Sequence, residues 1–124
     1  MNNVKLFPVL ILALFSAQAW AYGSSSSKKA CKSPKFSQFA PSHLSVVAPE
    51  SEFSFFASSI TNPSSIEVSV KKQPVEVTVD TSGNGYLVSG KLPAPLQNTY
   101  ARVQIEAKGG NQCRGQDGWL LKIE

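Results

Sequence analysis

The chain has 124 residues, 42% of them hydrophobic and 16% charged, with a formal net charge of +4 and a sequence pI of about 9.2. That is an ordinary globular composition, without the low hydrophobicity or long charge runs of a disordered chain. A chain of this length has room for one small domain, which excludes a multidomain enzyme and a membrane channel.

Met1–Ala21 reads as a secretory leader. Lys5 stands in a short polar start, an apolar run follows from Leu6 to Phe15, and Ala19-Trp20-Ala21 supplies the small residues of a cleavage site. The apolar run is too short to span a bilayer, and nothing after it is long and apolar enough to do so. The expected location is therefore periplasmic or secreted, not cytosolic. Cleavage would leave nine lysines and two arginines against eight acids. Lys28, Lys29, Lys32 and Lys35 cluster in residues 22–35, a Ser- and Lys-rich stretch read as a polar arm, while residues 36–124 hold seven bases and eight acids. A near-neutral domain lacks the basic, aromatic-laced face of a nucleic-acid binder. The arm reads as a solvated tether, with attraction to an anionic envelope surface as the alternative.

From Phe36 the pattern is one of short extended runs divided by Pro, Gly and Asn clusters. Leu44–Ala48 is a first strand, stopped by Pro49, and Phe53–Ala57 a second, with Phe53, Phe55 and Ala57 on one face. After the turn residues Asn62-Pro63-Ser64, Ile66, Val68 and Val70 alternate with Glu67, Ser69 and Lys71. Val75, Val77 and Val79 then alternate with Glu76, Thr78 and Asp80. These are the cleanest period-two signals in the chain. Ser82-Gly83-Asn84-Gly85 is hairpin chemistry, because Gly and Asn reach positive φ at low cost. Tyr86–Leu92 resumes the extended pattern, and Pro93–Asn98 is a corner whose prolines forbid a helix. Ala101, Val103, Ile105 and Ala107 mark a sixth strand; Lys108–Gly118 reads as a loop; Trp119, Leu121 and Ile123 close a seventh. No window after the leader has helical periodicity. The expectation is an all-β, seven-stranded antiparallel sandwich over residues 36–124.

Seven strands, a proline-led corner before Thr99-Tyr100 and a closing Trp strand resemble exported bacterial immunoglobulin-like domains, with the fibronectin type III sandwich a near relative. The resemblance spans Phe36 to Ile123 and implies a tyrosine corner, in which the Tyr100 hydroxyl bonds back to the corner backbone. Tyr100 shares parity with Arg102 and Gln104 rather than with Val103 and Ile105, so this role requires a bulge between Tyr100 and Val103. Copper carriers of this fold class use a mature N-terminal residue, typically His, with further His or Met. Here the new terminus would be Tyr22 and the only Met lies in the leader, which argues against a copper site.

Cys31 and Cys113 are the only cysteines, and an exported chain meets an oxidising compartment. In the sandwich, the first strand enters at the end that carries the loop between the last two strands, so the two thiols are expected to pair. There is no Cys-x-x-Cys, and zinc would need two further ligands from a chain with one His. Cys31 lies too far past the leader for lipidation.

Catalysis has little to work with. His43 is the sole histidine, and a Ser-His-Asp site would need it beside Asp80 or Asp117, both in turn-like segments. No serine sits in a Gly-x-Ser-x-Gly context. Gly109-Gly110 and Gly115 lack the strand-to-helix setting of a phosphate cradle, and Glu50 and Glu52 read as solubilising carboxylates. No catalytic residue, metal ligand or cofactor is expected. The leading expectation is a non-enzymatic exported binding module of the cell envelope, acting through end loops and exposed strands on another envelope protein. Asn111, Arg114 and Asp117 form the candidate interaction loop. The alternative is a carrier of a small ligand or metal serving an envelope enzyme. Oligomeric state is left open.

Overall fold

Alternation of apolar and polar residues becomes alternation of buried and wet faces in the segments Glu52–Ser58, Glu67–Val70 and Thr99–Lys108 of the computed structural model, which describes residues 30–124. The leader and most of the polar arm lie outside the described residues. Among the described residues no helix is long and apolar enough to cross a membrane. The strands are β1 (Phe36–Ala40), β2 (Val46–Val47), β3 (Glu52–Ser58), β4 (Glu67–Val70), β5 (Gln73–Val75), β6 (Thr78–Ser82), β7 (Gly85–Lys91), β8 (Thr99–Lys108) and β9 (Arg114–Ile123). They form a four-stranded sheet, ordered β1-β3-β7-β6, and a five-stranded sheet, ordered β2-β9-β8-β4-β5. The core holds Phe53, Phe55 and Val88 from the first sheet, and Val70, Val103, Ile105, Trp119, Leu121 and Ile123 from the second. It is an all-β sandwich, with nine strands where the sequence pattern predicts seven.

The two additional strands have physical causes. β1 pairs antiparallel with β3, but its register shifts between Ser37 and Ala40, where Gln38 has φ 55°. This irregularity places Phe36 and Phe39, three positions apart, both against the core, so the segment carries no period-two signature. The run read as one strand from Val75 to Asp80 is two. β5 pairs with β4 in one sheet, and β6 pairs with β7 in the other. Val75, Val77 and Val79 all pack on the same core as the chain crosses between sheets, so their alternation is blind to the change of sheet. A third difference is directional. The first expected strand shrinks to β2, which pairs parallel to β9, so the sandwich is not wholly antiparallel.

Trp119 organises the middle of the core. Its ring lies 4.8 Å from that of Phe39 and 6.2 Å from those of Phe53 and Phe55. Its indole N–H donates to the Pro41 carbonyl at 2.8 Å, which satisfies the one polar group the residue buries. The tyrosine corner does not form. The β8–β9 ladder runs without a break from Thr99↔Ile123 to Lys108↔Arg114, so no bulge re-aims Tyr100. It stays on the outer face, 54% exposed, with the Lys122 ammonium 5.5 Å from its ring centre.

Candidate functional site

The disulfide end of the sandwich is built first by its covalent link. Cys31 and Cys113 are bonded across 82 positions, with their Cα atoms 5.3 Å apart. Around the bond, Lys32 N–H donates to the Gly110 carbonyl at 3.3 Å, Pro34 is buried, and Lys35 N–H donates to Ser58 Oγ at 3.0 Å. Gly109 is required where it stands, because a Cβ there would run into the Lys32 carbonyl oxygen. The segment that follows is shorter than the predicted loop: β8 extends to Lys108 and β9 begins at Arg114. What remains is a tight turn in which Gly109 N–H donates to the Cys113 carbonyl at 2.7 Å and Cys113 N–H to the Gly110 carbonyl at 3.2 Å. Asn111 and Gln112 sit at its tip with φ of 57° and 60°.

This geometry divides the predicted loop residues. Asn111 is exposed at the turn. Arg114 and Asp117 lie in β9 instead of a loop. Arg114 has the outward parity, opposite Lys108, whereas Asp117 has the parity of Trp119 and Leu121 and pairs with Ile105. The Asp117 carboxylate accepts from the Gly118 N–H at 2.7 Å. Asn111 and Arg114 are exposed, whereas Asp117 is half-buried.

His43 has a structural task. Its Nδ1 accepts the Leu120 N–H at 3.2 Å, beside the Leu44 N–H that donates to the Leu120 carbonyl at 2.7 Å. The imidazole thus caps the sheet edge where β2 meets β9. In the neutral ring this leaves the proton on Nε2. Metal ligation through Nε2 would move that proton to Nδ1 and break the bond. Among the described residues no group of three or more His, Cys, Asp or Glu could hold a metal ion.

The outer face of the five-stranded sheet was not singled out in the sequence. Two adjoining concavities of about 710 and 660 Å³ open on it and share Ser69, Gln104 and Glu106. Side chains across it are linked: Arg102 Nε donates to Gln104 Oε1 at 3.0 Å, and Gln104 Nε2 to Gln116 Oε1 at 3.2 Å. At its border Lys122 and Glu124 form an ion pair of 3.1 Å. The Glu124 carboxylate, hydrogen-bonded to that ammonium, holds the Lys122 pKa above the usual lysine value. The face is readable only after strand pairing places β4 beside β8.

No protein-family model matches the chain, and no curated protein matches it in sequence. Among solved structures it is similar to CopC from Methylosinus trichosporium OB3b, with a TM-score of 0.56 and 10% identity, covering 73% of this chain and 93% of that one. It is also similar to PcoC from Escherichia coli, described as a methionine-rich copper resistance protein, with a TM-score of 0.53 and 14% identity, covering 75% of this chain and 100% of that one. At these identities the likeness establishes the sandwich architecture.

Proposed function

We propose that this protein is a non-enzymatic carrier module of the cell envelope that holds a small ligand or metal for another envelope protein. The observation that carries the reading is the sandwich it shares with CopC and PcoC over nearly the whole of both. It ranks carriage, the second of the two expectations from sequence, above general protein binding. An oxidising compartment fits the single disulfide.

The cargo differs from that of a methionine-rich copper protein. The sequence holds one Met, at position 1, and one His. His43 is engaged at Nδ1, and both cysteines are bonded to each other. The described residues do not fit a site of thioether and imidazole donors, the set that soft copper selects. The reading therefore favours a small organic ligand over copper. Native mass spectrometry of protein isolated from the periplasm, with elemental analysis of the same sample, tests it. A mass above that of the bare exported polypeptide, or a stoichiometric metal, is expected; a clean polypeptide mass with no metal overturns carriage.

A second reading, recognition of an envelope partner through the tethered turn, rests on Asn111 and Gln112 held at positive φ at an exposed tip beside Arg114. Asn takes this conformation at low cost, so the strained position is Gln112, next to the bonded Cys113. Under this reading Arg114→Ala removes partners captured from periplasmic extract by the parent protein. An unchanged partner set removes the turn as the recognition surface.

A further inference from the structure

We propose that the outer face of the five-stranded sheet is a self-complementary interface and that its occupant is a second copy of this chain. The inference is independent of the carrier reading and starts from strand register. Glu67 lies directly opposite Glu106, and Ser69 directly opposite Gln104. One step further, Lys71 N–H donates to the Arg102 carbonyl at 3.1 Å, which sets Lys71 beside Arg102. The face therefore carries an acidic row, a neutral row and a basic row in succession. Rows of outward residues are spaced two positions apart, or roughly 7 Å along a strand.

Each charged row is unfavourable alone. Like charges directly opposite on neighbouring strands destabilise a sheet, and all four side chains belong to exposed residues. Among the described residues no ion pair neutralises Glu67, Glu106, Lys71 or Arg102; the pair recorded is Lys122 with Glu124. The β4–β5 turn adds to the concentration of charge. Lys71 and Lys72 occupy its two central positions with φ of 50° and 68°, where Asn-Gly is the unstrained choice.

A two-fold axis lying in the interface along the Ser69–Gln104 row resolves both rows at once. It reverses strand direction, so Lys71 and Arg102 of one copy face Glu67 and Glu106 of the other, twice over by symmetry. The two concavities that share Ser69, Gln104 and Glu106 leave room for opposing side chains. Lys108, opposite Arg114, borders the acidic row, and Tyr100, 54% exposed, borders the basic one. Close to it, Gly118 leaves the space that the Arg102 guanidinium occupies, 3.1 Å from where a Cβ would stand. An acidic protein partner would use only the basic row and leave the acidic one repelled, which is why the second copy is the better match.

Sedimentation velocity of the exported chain, over a wide concentration range at low and high sodium chloride, tests the proposal. The parent is expected to self-associate, less so at high salt. With Glu76, Lys72, Lys108 and Arg114 around them unchanged, E67K/E106K makes both rows basic and K71E/R102E makes both acidic. Each is expected to weaken self-association by at least about tenfold, while a mixture of the two forms a heterodimer. The four-site variant exchanges the rows, keeps the net charge, and is expected to dimerise like the parent; circular dichroism establishes that each variant is folded. A monomeric parent at low salt overturns the proposal, as does association that the swaps leave unchanged. A mixture of the two variants that stays monomeric does the same, and stronger binding of a third protein by E67K/E106K would assign the face to an acidic partner instead.

Discussion

Replacing either Cys31 or Cys113 with serine is expected to lower stability by about 4.5 kcal/mol, the loop-entropy value for a link across 82 positions. For a domain of this size the melting temperature then falls on the order of 20 °C. The argument concerns the unfolded chain more than the folded one. The bond ties the segment before β1 to the turn between β8 and β9, almost the full length of the domain. Without it the unfolded ensemble gains conformations that the native state never had. The strands themselves should persist, because β8 and β9 pair through their own unbroken ladder and the core contains neither cysteine. Both single variants should therefore lose similar amounts, and the double variant no more than either. Thiol counting on denatured, unreduced protein followed by thermal melts checks this. Two free thiols in protein taken directly from the periplasm would sink the idea, and so would additive losses in the double variant.

The sequence is legible where one strand serves one sheet. Ala101 to Ala107 and Trp119 to Ile123 alternate cleanly, and they become the buried positions of β8 and β9. The pattern fails wherever inward-facing residues do not imply regular pairing. Phe36 and Phe39 face the core around a register shift, and three valines face it while the chain changes sheets. Length was also misjudged between Lys108 and Gly118. Glycines there read as loop, yet Gly115 and Gly118 are strand residues kept small by neighbours. A Cβ at Gly115 would meet Pro34, and one at Gly118 the Val103 carbonyl. Glycine marks close approach as often as it marks a turn, and one sequence cannot separate the two.

The candidate site was less legible than the fold, for a related reason. The disulfide follows from compartment and thiol count, which local sequence supplies. The charge rows depend on Glu67 meeting Glu106, a pairing across 39 positions that only topology sets. Arg114 and Asp117, three residues apart, read as one loop surface until β9 gives them opposite parity. His43 showed the converse: as a lone histidine it invited catalytic and metal readings, and its partner is a backbone amide.

Trp119→Ala is expected to cost about 3–5 kcal/mol, the usual range for emptying a buried large aromatic site. The residue is 2% exposed and packs against three rings of the four-stranded sheet: Phe53 and Phe55 come from β3, and Phe39 from β1. Its own strand lies in the opposite sheet, so the ring bridges the two layers at their centre. Trp119→Phe separates packing from hydrogen bonding. It keeps an aromatic ring but removes the donor to the Pro41 carbonyl. Pro41 is only half-buried, so water can replace that donor, and the cost should stay near 1–2 kcal/mol. Urea unfolding followed by far-ultraviolet circular dichroism measures both variants. A loss below about 1 kcal/mol for Trp119→Ala, or one no larger than that of Trp119→Phe, would show that the sheets do not depend on this ring. Removing the disulfide as well gives a sharper test. The two changes act at separate places, so their losses should add to about 8 kcal/mol. That is comparable to the whole stability of a small domain. The combined variant is therefore expected to be unfolded at 25 °C, while each single one remains folded.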